Sequence, residues 1–327
     1  MVDRRCPQGA STSARPTAPA VSVGGTWRGP LAHTSEVIDL GVRRTLAKGL
    51  RGKVAGPDGA KAAARIWQTE GERWFADGDP IWRVHADASM FIGGVRALLL
   101  QSLHPLAMFG VAEHSGYQDD PWARVQSTST YLAETTFGTI EHAEAAIDKV
   151  RGIHRFVRGT APDGRAYAAD DPELLLWVHV AEIDSFLTAQ QTFSTHPLDD
   201  SEADTYVAQA AVAATRLGVQ DAPMTVAGLR ATIERFRPDL AVTPAALDAA
   251  RLVLHEPPLA WWGRPVYSCV STAAVSTLPV WARDMIGVRS RRFARPLGRL
   301  TTAGVGWVMA QPTTEPPLQR GSGTPDG

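Results

Sequence analysis

Apolar residues along this chain recur at spacings of three and four, the period that gathers them on one side of an α-helix. Leu176, Val180, Ile183 and Leu187 form one such stripe, and Leu247, Ala250 and Leu254 form another. Asp120-Pro121, Asp171-Pro172 and Thr243-Pro244 stand where periodic segments begin. Each pair offers a side-chain oxygen to free amide groups, then a proline where a missing N–H costs nothing. Asp199-Asp200-Ser201-Glu202 has the form of a capping box opening a further helix. Short alternating β-branched runs between turns are nearly absent, and Gly110-Val111 and Leu217-Gly218 read as helix ends rather than hairpin turns. The pattern predicts an all-α fold of roughly ten or more helices.

Composition refines this picture without naming a function. Residues 1–25 and 311–327 are rich in small residues and proline without periodicity, and are expected to be disordered tails. Between them neither a repeat nor a long linker occurs. A single large helical domain over residues 35–310 is expected, with a helical lead-in from Ser35 to Lys53. The net charge of −1 supplies no field to attract nucleic acid. Cys6 and Cys269 lie too far apart in sequence to suggest a disulfide framework or a thiolate zinc site, and they fit a reducing compartment. No secretory signal is read in the first residues, so a cytoplasmic location is expected. The run Phe91–Leu100 contains Arg96 and two glycines, and is shorter than the roughly 18 residues of a bilayer span.

P-loop, GxGxxG, HExxH and GxSxG signatures are all missing, which removes the common nucleotide, zinc-peptidase and α/β-hydrolase readings. Histidines and arginines on helices remain. In Arg151-Gly-Ile-His154-Arg-Phe-Val-Arg158, helical spacing would put Arg151, His154 and Arg158 on one face. Imidazole is a good ligand for iron, zinc or copper, and arginine suits carboxylates; the alternative is a solvated surface helix with an incidental histidine. Arg124, Thr128 and Tyr131 fall at i, i+4 and i+7 of a helix that packs inward through Val125 and Leu132. Either a bound oxidant or polarised oxygen satisfies them, or the arginine reaches solvent and the threonine bonds back to its own helix. Gln101 and His104 come where Pro105 must break an apolar helix, with Gly110, His114 and Ser115 beyond; they face a cavity, or His104 satisfies a freed backbone group. His179, in Trp177-Val-His179, is a second candidate ligand or a satisfied core histidine.

In order along the chain, LLLQSLHPLAMFGVAEHS, RVQSTSTYLAETTFGT, VRGIHRFVRGT, GRAYAADDPELLLWVH and DDSEADTY resemble the MpaB/rubber-oxygenase catalytic-domain family. The likeness runs from about Asp79 to Arg289. It implies an all-helical domain around a b-type haem, with dioxygen as co-substrate and a hydrophobic, unsaturated lipid or isoprenoid-like molecule as substrate. By the resemblance, His154 matches the proximal iron ligand and Arg151 and Arg158 its flanking arginines, while Arg124 and Thr128 match the pair on the oxygen side. The rubber enzymes carry a lysine just before that threonine which can close the sixth iron position; this chain has Ser127 there. Their acidic base has no assigned counterpart, and His104 is the candidate for proton handling.

The leading expectation is therefore a haem b-dependent oxygenase. A non-catalytic haem- or ligand-binding protein of the same fold is the alternative, and a non-haem metal hydrolase using His154 with His104 or His179 is a third. Arg283, Arg289, Arg291, Arg292, Arg295 and Arg299 cluster against the single acid Asp284, ahead of Val305, Trp307, Val308 and Met309. Such a segment makes a peripheral membrane contact or docks on the domain with a solvated basic face.

Overall fold

A computed structural model describes Gly56 and residues 59–309, apart from residues 117, 118, 258 and 262. The predicted tails, 1–25 and 311–327, and the lead-in Ser35–Lys53 lie outside the described residues. Within them the chain forms α1 (Gly59–Trp67), α2 (Pro80–Ala86), α3 (Met90–Gln101), α4 (Pro105–His114), α5 (Pro121–Phe137) and α6 (Ile140–His154). A short hairpin follows, β1 (Arg158–Thr160) and β2 (Ala166–Ala168). Then come α7 (Pro172–Phe193), α8 (Asp200–Leu217), α9 (Val226–Phe236), α10 (Pro244–His255), α11 (Arg264–Thr277), α12 (Val280–Ile286) and α13 (Ala294–Met309). The fold is all-α, as the periodicity implies.

The predicted starts act through the predicted atoms. Asp120 accepts a hydrogen bond from the Ala123 amide, Asp171 from the Glu173 and Leu174 amides, and Thr243 from the Ala246 amide. Asp199 and Glu202 complete a reciprocal capping box at α8. Each cap satisfies amide groups that a helix cannot satisfy itself, at about 1 kcal/mol apiece.

The centre of the molecule is α7, buried along most of its 22 residues and packed most extensively on α3. Gly93 permits that approach: a Cβ there would lie 2.9 Å from the Phe186 ring and 3.1 Å from the Phe186 Cα. Trp177, Val180, Ala181, Phe186 and Phe193 of α7 join Ile92, Leu99 and Leu100 of α3 in one core. Arg96 in the apolar run of α3 is a core residue with every donor group engaged. Its Nη2 pairs with Asp184 at 2.7 Å, Nη1 donates to Ser185 Oγ at 2.7 Å, and Nε donates to the Thr277 carbonyl at 3.2 Å. Among the described residues no single helix is long and apolar enough to cross a membrane. At Pro105 the chain bends by 106° between α3 and α4.

The hairpin departs from the helical expectation. α6 stops at His154, and the chain turns through Ala161-Pro162-Asp163-Gly164, where Gly164 has φ of +86° and its amide bonds back to the Ala161 carbonyl at 2.9 Å. Proline and aspartate start such turns and glycine at positive φ closes them. β1 and β2 then pair antiparallel, with Gly159 opposite Tyr167. Arg158 therefore stands on a strand, off the helical face on which spacing put it with Arg151 and His154.

Candidate active site

A cavity of about 280 Å³, open to solvent, lies between α2, α4, α5, the end of α6, β2, α7 and α8. Three helices bring its polar groups together. α5 presents Arg124, Tyr131 and Thr135, spaced by seven and four. α7 presents Leu175, Val178, His179 and Glu182 at i, i+3, i+4 and i+7, one helical face. α6 ends on His154, which reaches the cavity from its last position. His85 of α2, His114 of α4, Tyr167 of β2 and Gln209 of α8 add further polar groups.

Burial decides the charge of these groups. The His85 pKa is lowered from 6.5 to about 4 by desolvation, and that of His179 likewise. His85 is held by Thr136 Oγ1 at 2.7 Å on Nδ1 and faces the Tyr206 hydroxyl at 3.5 Å on Nε2, so it ties α2 to α5 and α8. His179 has no such tie: its Nε2 is buried with no hydrogen-bond partner among the described residues. The His154 pKa is lowered first by burial and then by the Arg124 charge, with Asp170 opposing. His154 is therefore neutral at pH 7, the form that binds metals. Arg124 lines the cavity and is exposed, yet desolvation by the neighbouring protein lowers its pKa. Among the described residues no carboxylate pairs with it. A guanidinium with no counter-ion in such a place is a site for a negative or polarised group.

Glu182 is the acid that sequence reasoning missed. Burial raises its pKa from 4.5 to about 7, against a side-chain hydrogen bond from Gln101 that favours the carboxylate. The Gln101 amide also donates to the Val178 carbonyl at 3.1 Å, which holds it over the α7 face. Burial, with the nearby charge of Glu182 second, raises the Tyr131 pKa, so this phenol stays a neutral donor. The signal was present in the sequence: Glu182 follows His179 by three residues, which puts the two on one face of a largely buried helix.

The remaining expected residues fall elsewhere. His104 is buried as the N-cap of α4, where its Nδ1 accepts from the Ala107 amide at 3.4 Å; it packs between Trp177 and Phe236. It is not among the residues lining the cavity. Its cause is local: Pro105 breaks the helix, and the freed amide two residues on takes the imidazole. Thr128 is exposed and outside the lining, although it follows Arg124 by one turn. Ser127 is exposed and donates to the Arg124 carbonyl at 3.0 Å. Arg151 pairs with Asp148 at 3.1 Å and donates to the Arg216 carbonyl, while Arg158 pairs with Asp170 at 2.6 Å. Neither arginine lines the cavity. Among the described residues no group of three or more His, Cys, Asp or Glu is arranged to hold a metal ion, so the ligand set of a non-haem hydrolase is not assembled.

Comparison with known proteins agrees with this architecture. The chain is 33% identical over 128 residues to the uncharacterized proteins Mb2261 of Mycobacterium bovis and Rv2237 of Mycobacterium tuberculosis, a stretch covering 38% of this chain and 50% of each of those. The match thus spans about half the length of these curated relatives. No solved structure matches the chain. The profile of the ER-bound oxygenase MpaB/B′ and rubber oxygenase catalytic domain matches residues 82–308, which takes in every cavity-lining helix from α4 to α8. The chain belongs to that family of oxygenase catalytic domains.

Proposed function

We propose that this protein is a haem b-dependent oxygenase acting on a hydrophobic, unsaturated lipid or isoprenoid-like molecule. The observation that carries this reading is the pairing, across one cavity, of a neutral His154 with an Arg124 that has no counter-ion among the described residues. These residues fit haem chemically: one imidazole able to bind iron, a cation for negative charge, and apolar walls from Leu106, Val111, Leu132 and Ile183. When bound, haem supplies the iron at which dioxygen is activated.

The chain's own groups do the rest. His154 would hold the iron, and the end of α6 fixes the position of its ring. Arg124 would orient negative charge by its guanidinium, while Thr128, one turn along, lies outside the lining and could serve only from the cavity's rim. Arg151 and Arg158 serve carboxylates only by exchanging Asp148 and Asp170. Glu182 takes the role first sought at His104: with a pKa near 7 it holds or releases a proton at its carboxyl under neutral conditions. The apolar walls admit a substrate without charge.

The test is the absorption spectrum of the purified protein after haem supplementation. A Soret band is expected, and His154→Ala should abolish it. Arg124→Gln should keep the band and lower oxygen consumption with an unsaturated lipid panel by about 100-fold or more. Absence of the band, or full haem binding by His154→Ala, refutes the reading. A band with no oxygen consumption across the panel would turn it into a binding protein.

A further inference from the structure

α13 touches the rest of the molecule with one side only. Ala294, Gly298 and Thr302, at steps of four, face inward against α11 and the last turn of α7. Gly298 sets how close they come, since a Cβ there would lie 2.8 Å from Ala273 Cβ and against the Phe193 ring. The other side carries a different pattern. Phe293, Pro296, Leu300 and Ala303 follow one another at steps of three and four, and all are exposed. Phe293 and Leu300 are 80% and 72% exposed, far beyond what stray surface apolar residues of a helix need be. Arg292, Arg295 and Arg299 run beside this stripe at the same steps, also exposed, with Arg289 and Arg291 just ahead; Arg299 donates through Nε to the Thr192 carbonyl at 3.1 Å. Among the described residues none of these five arginines pairs with a carboxylate, and from residue 283 to 309 Asp284 is the only acid.

We propose that this face of α13 docks on an anionic lipid surface. An apolar stripe edged by cations that have no carboxylate partner among the described residues is complementary to a layer with acyl chains below and phosphates above. The arginine stems lie along the apolar boundary while their guanidinium groups bond phosphate oxygens. A second copy of the chain is disfavoured by charge: self-complementary pairing would lay one arginine row against another. The proposal rests on α13 alone and stands whatever the cavity binds. It would deliver the protein to the phase in which a hydrophobic substrate is dissolved.

Co-sedimentation of the full chain with phosphatidylcholine vesicles, with and without about 30 mol% phosphatidylserine, tests it. Binding is expected only with phosphatidylserine and should fade as salt rises from about 0.1 M to about 1 M. Arg292→Ala/Arg295→Ala should weaken binding about 30-fold, from about 1 kcal/mol per arginine near such a surface. Phe293→Ser/Leu300→Ser should weaken it too, and both variants should melt as the parent does, since these side chains are exposed. Equal binding to neutral vesicles, no binding at all, or variants that bind like the parent would overturn the proposal. So would a dimer in analytical ultracentrifugation that Phe293→Ser/Leu300→Ser dissociates, because the face would then belong to a second copy.

Discussion

Glu182→Gln removes the one acid among the described residues that line the cavity, while keeping the side chain's shape. Burial raises the Glu182 pKa from 4.5 to about 7. Between these values the unfolded chain has released its proton and the folded chain still holds it. Stability therefore falls as pH rises through the interval: the contribution is complete below pH 4.5 and gone above pH 7. Over about 2.5 pH units, at about 1.36 kcal/mol each, the loss is about 3 kcal/mol. Cavity water screens part of it, so about 1.5–3 kcal/mol is expected. His85 and His179 act in the opposite sense. Their pKa values are lowered from 6.5 to about 4, so their contribution is present above pH 6.5 and is lost as pH falls through 4. In the parent protein Glu182 offsets part of that acid loss. In the glutamine variant both histidines act unopposed. The variant should match the parent near pH 4 and exceed it at pH 8 by roughly 3–12 °C in Tm, at about 2–4 °C per kcal/mol. It should also lose stability more steeply between pH 6.5 and 4.5. Circular-dichroism melting of both proteins from pH 4 to 9 measures the difference, and all other titrating groups cancel from it. Parallel curves would show that Glu182 is ionised and hydrated in the fold, and would remove it from proton handling.

Two further substitutions examine the frame that places the site. Gly93→Ala sets a methyl 2.9 Å from the Phe186 ring and 3.1 Å from its Cα, so α3 and α7 must part. A loss of about 1–3 kcal/mol by denaturant titration is expected, and an unchanged midpoint would mean the contact is loose. Arg96→Met strands the Asp184 carboxylate at the core and should cost about 3–5 kcal/mol; a loss under about 1 kcal/mol would show that water reaches the pair.

The helical frame was legible because its signals are local. Asp120, Asp171, Thr243 and the Asp199–Glu202 box each act within four residues of themselves, and the i, i+3, i+4 stripes need only the helix they lie on. The site was legible in part for the same reason: Arg124 and Tyr131 share a face by spacing, and both line the cavity. What failed needed information from outside the segment. Arg158 was given to the helix of His154 because the spacing fits, but the Pro162-Asp163-Gly164 turn beyond it pulls Arg158 into a hairpin. His104 carries the residue type of a catalytic group, and only the geometry of the break at Pro105 shows its ring spent on a backbone amide. Glu182 was passed over as one charge on a core helix, because nothing in its own segment tells that α5, α6 and α8 leave a gap opposite it.

At neutral pH the same burial that hid these groups sets what the cavity can hold. His85, His179 and His154 are kept uncharged, and Glu182 is poised at the middle of its titration. Arg124 is the fixed charge among them, since a guanidinium remains protonated even when burial weakens it. Below pH 7 the lining is thus net positive, and above it the Glu182 carboxylate cancels that charge. A ligand that brings negative charge beside Arg124 would oppose the ionisation of Glu182, and so would be taken up together with a proton. Binding of such a ligand should therefore weaken as pH rises past 7, although its direct partner, Arg124, does not titrate there. The proton count belongs to α7 and the charge contact to α5, which is why neither segment read alone discloses the coupling.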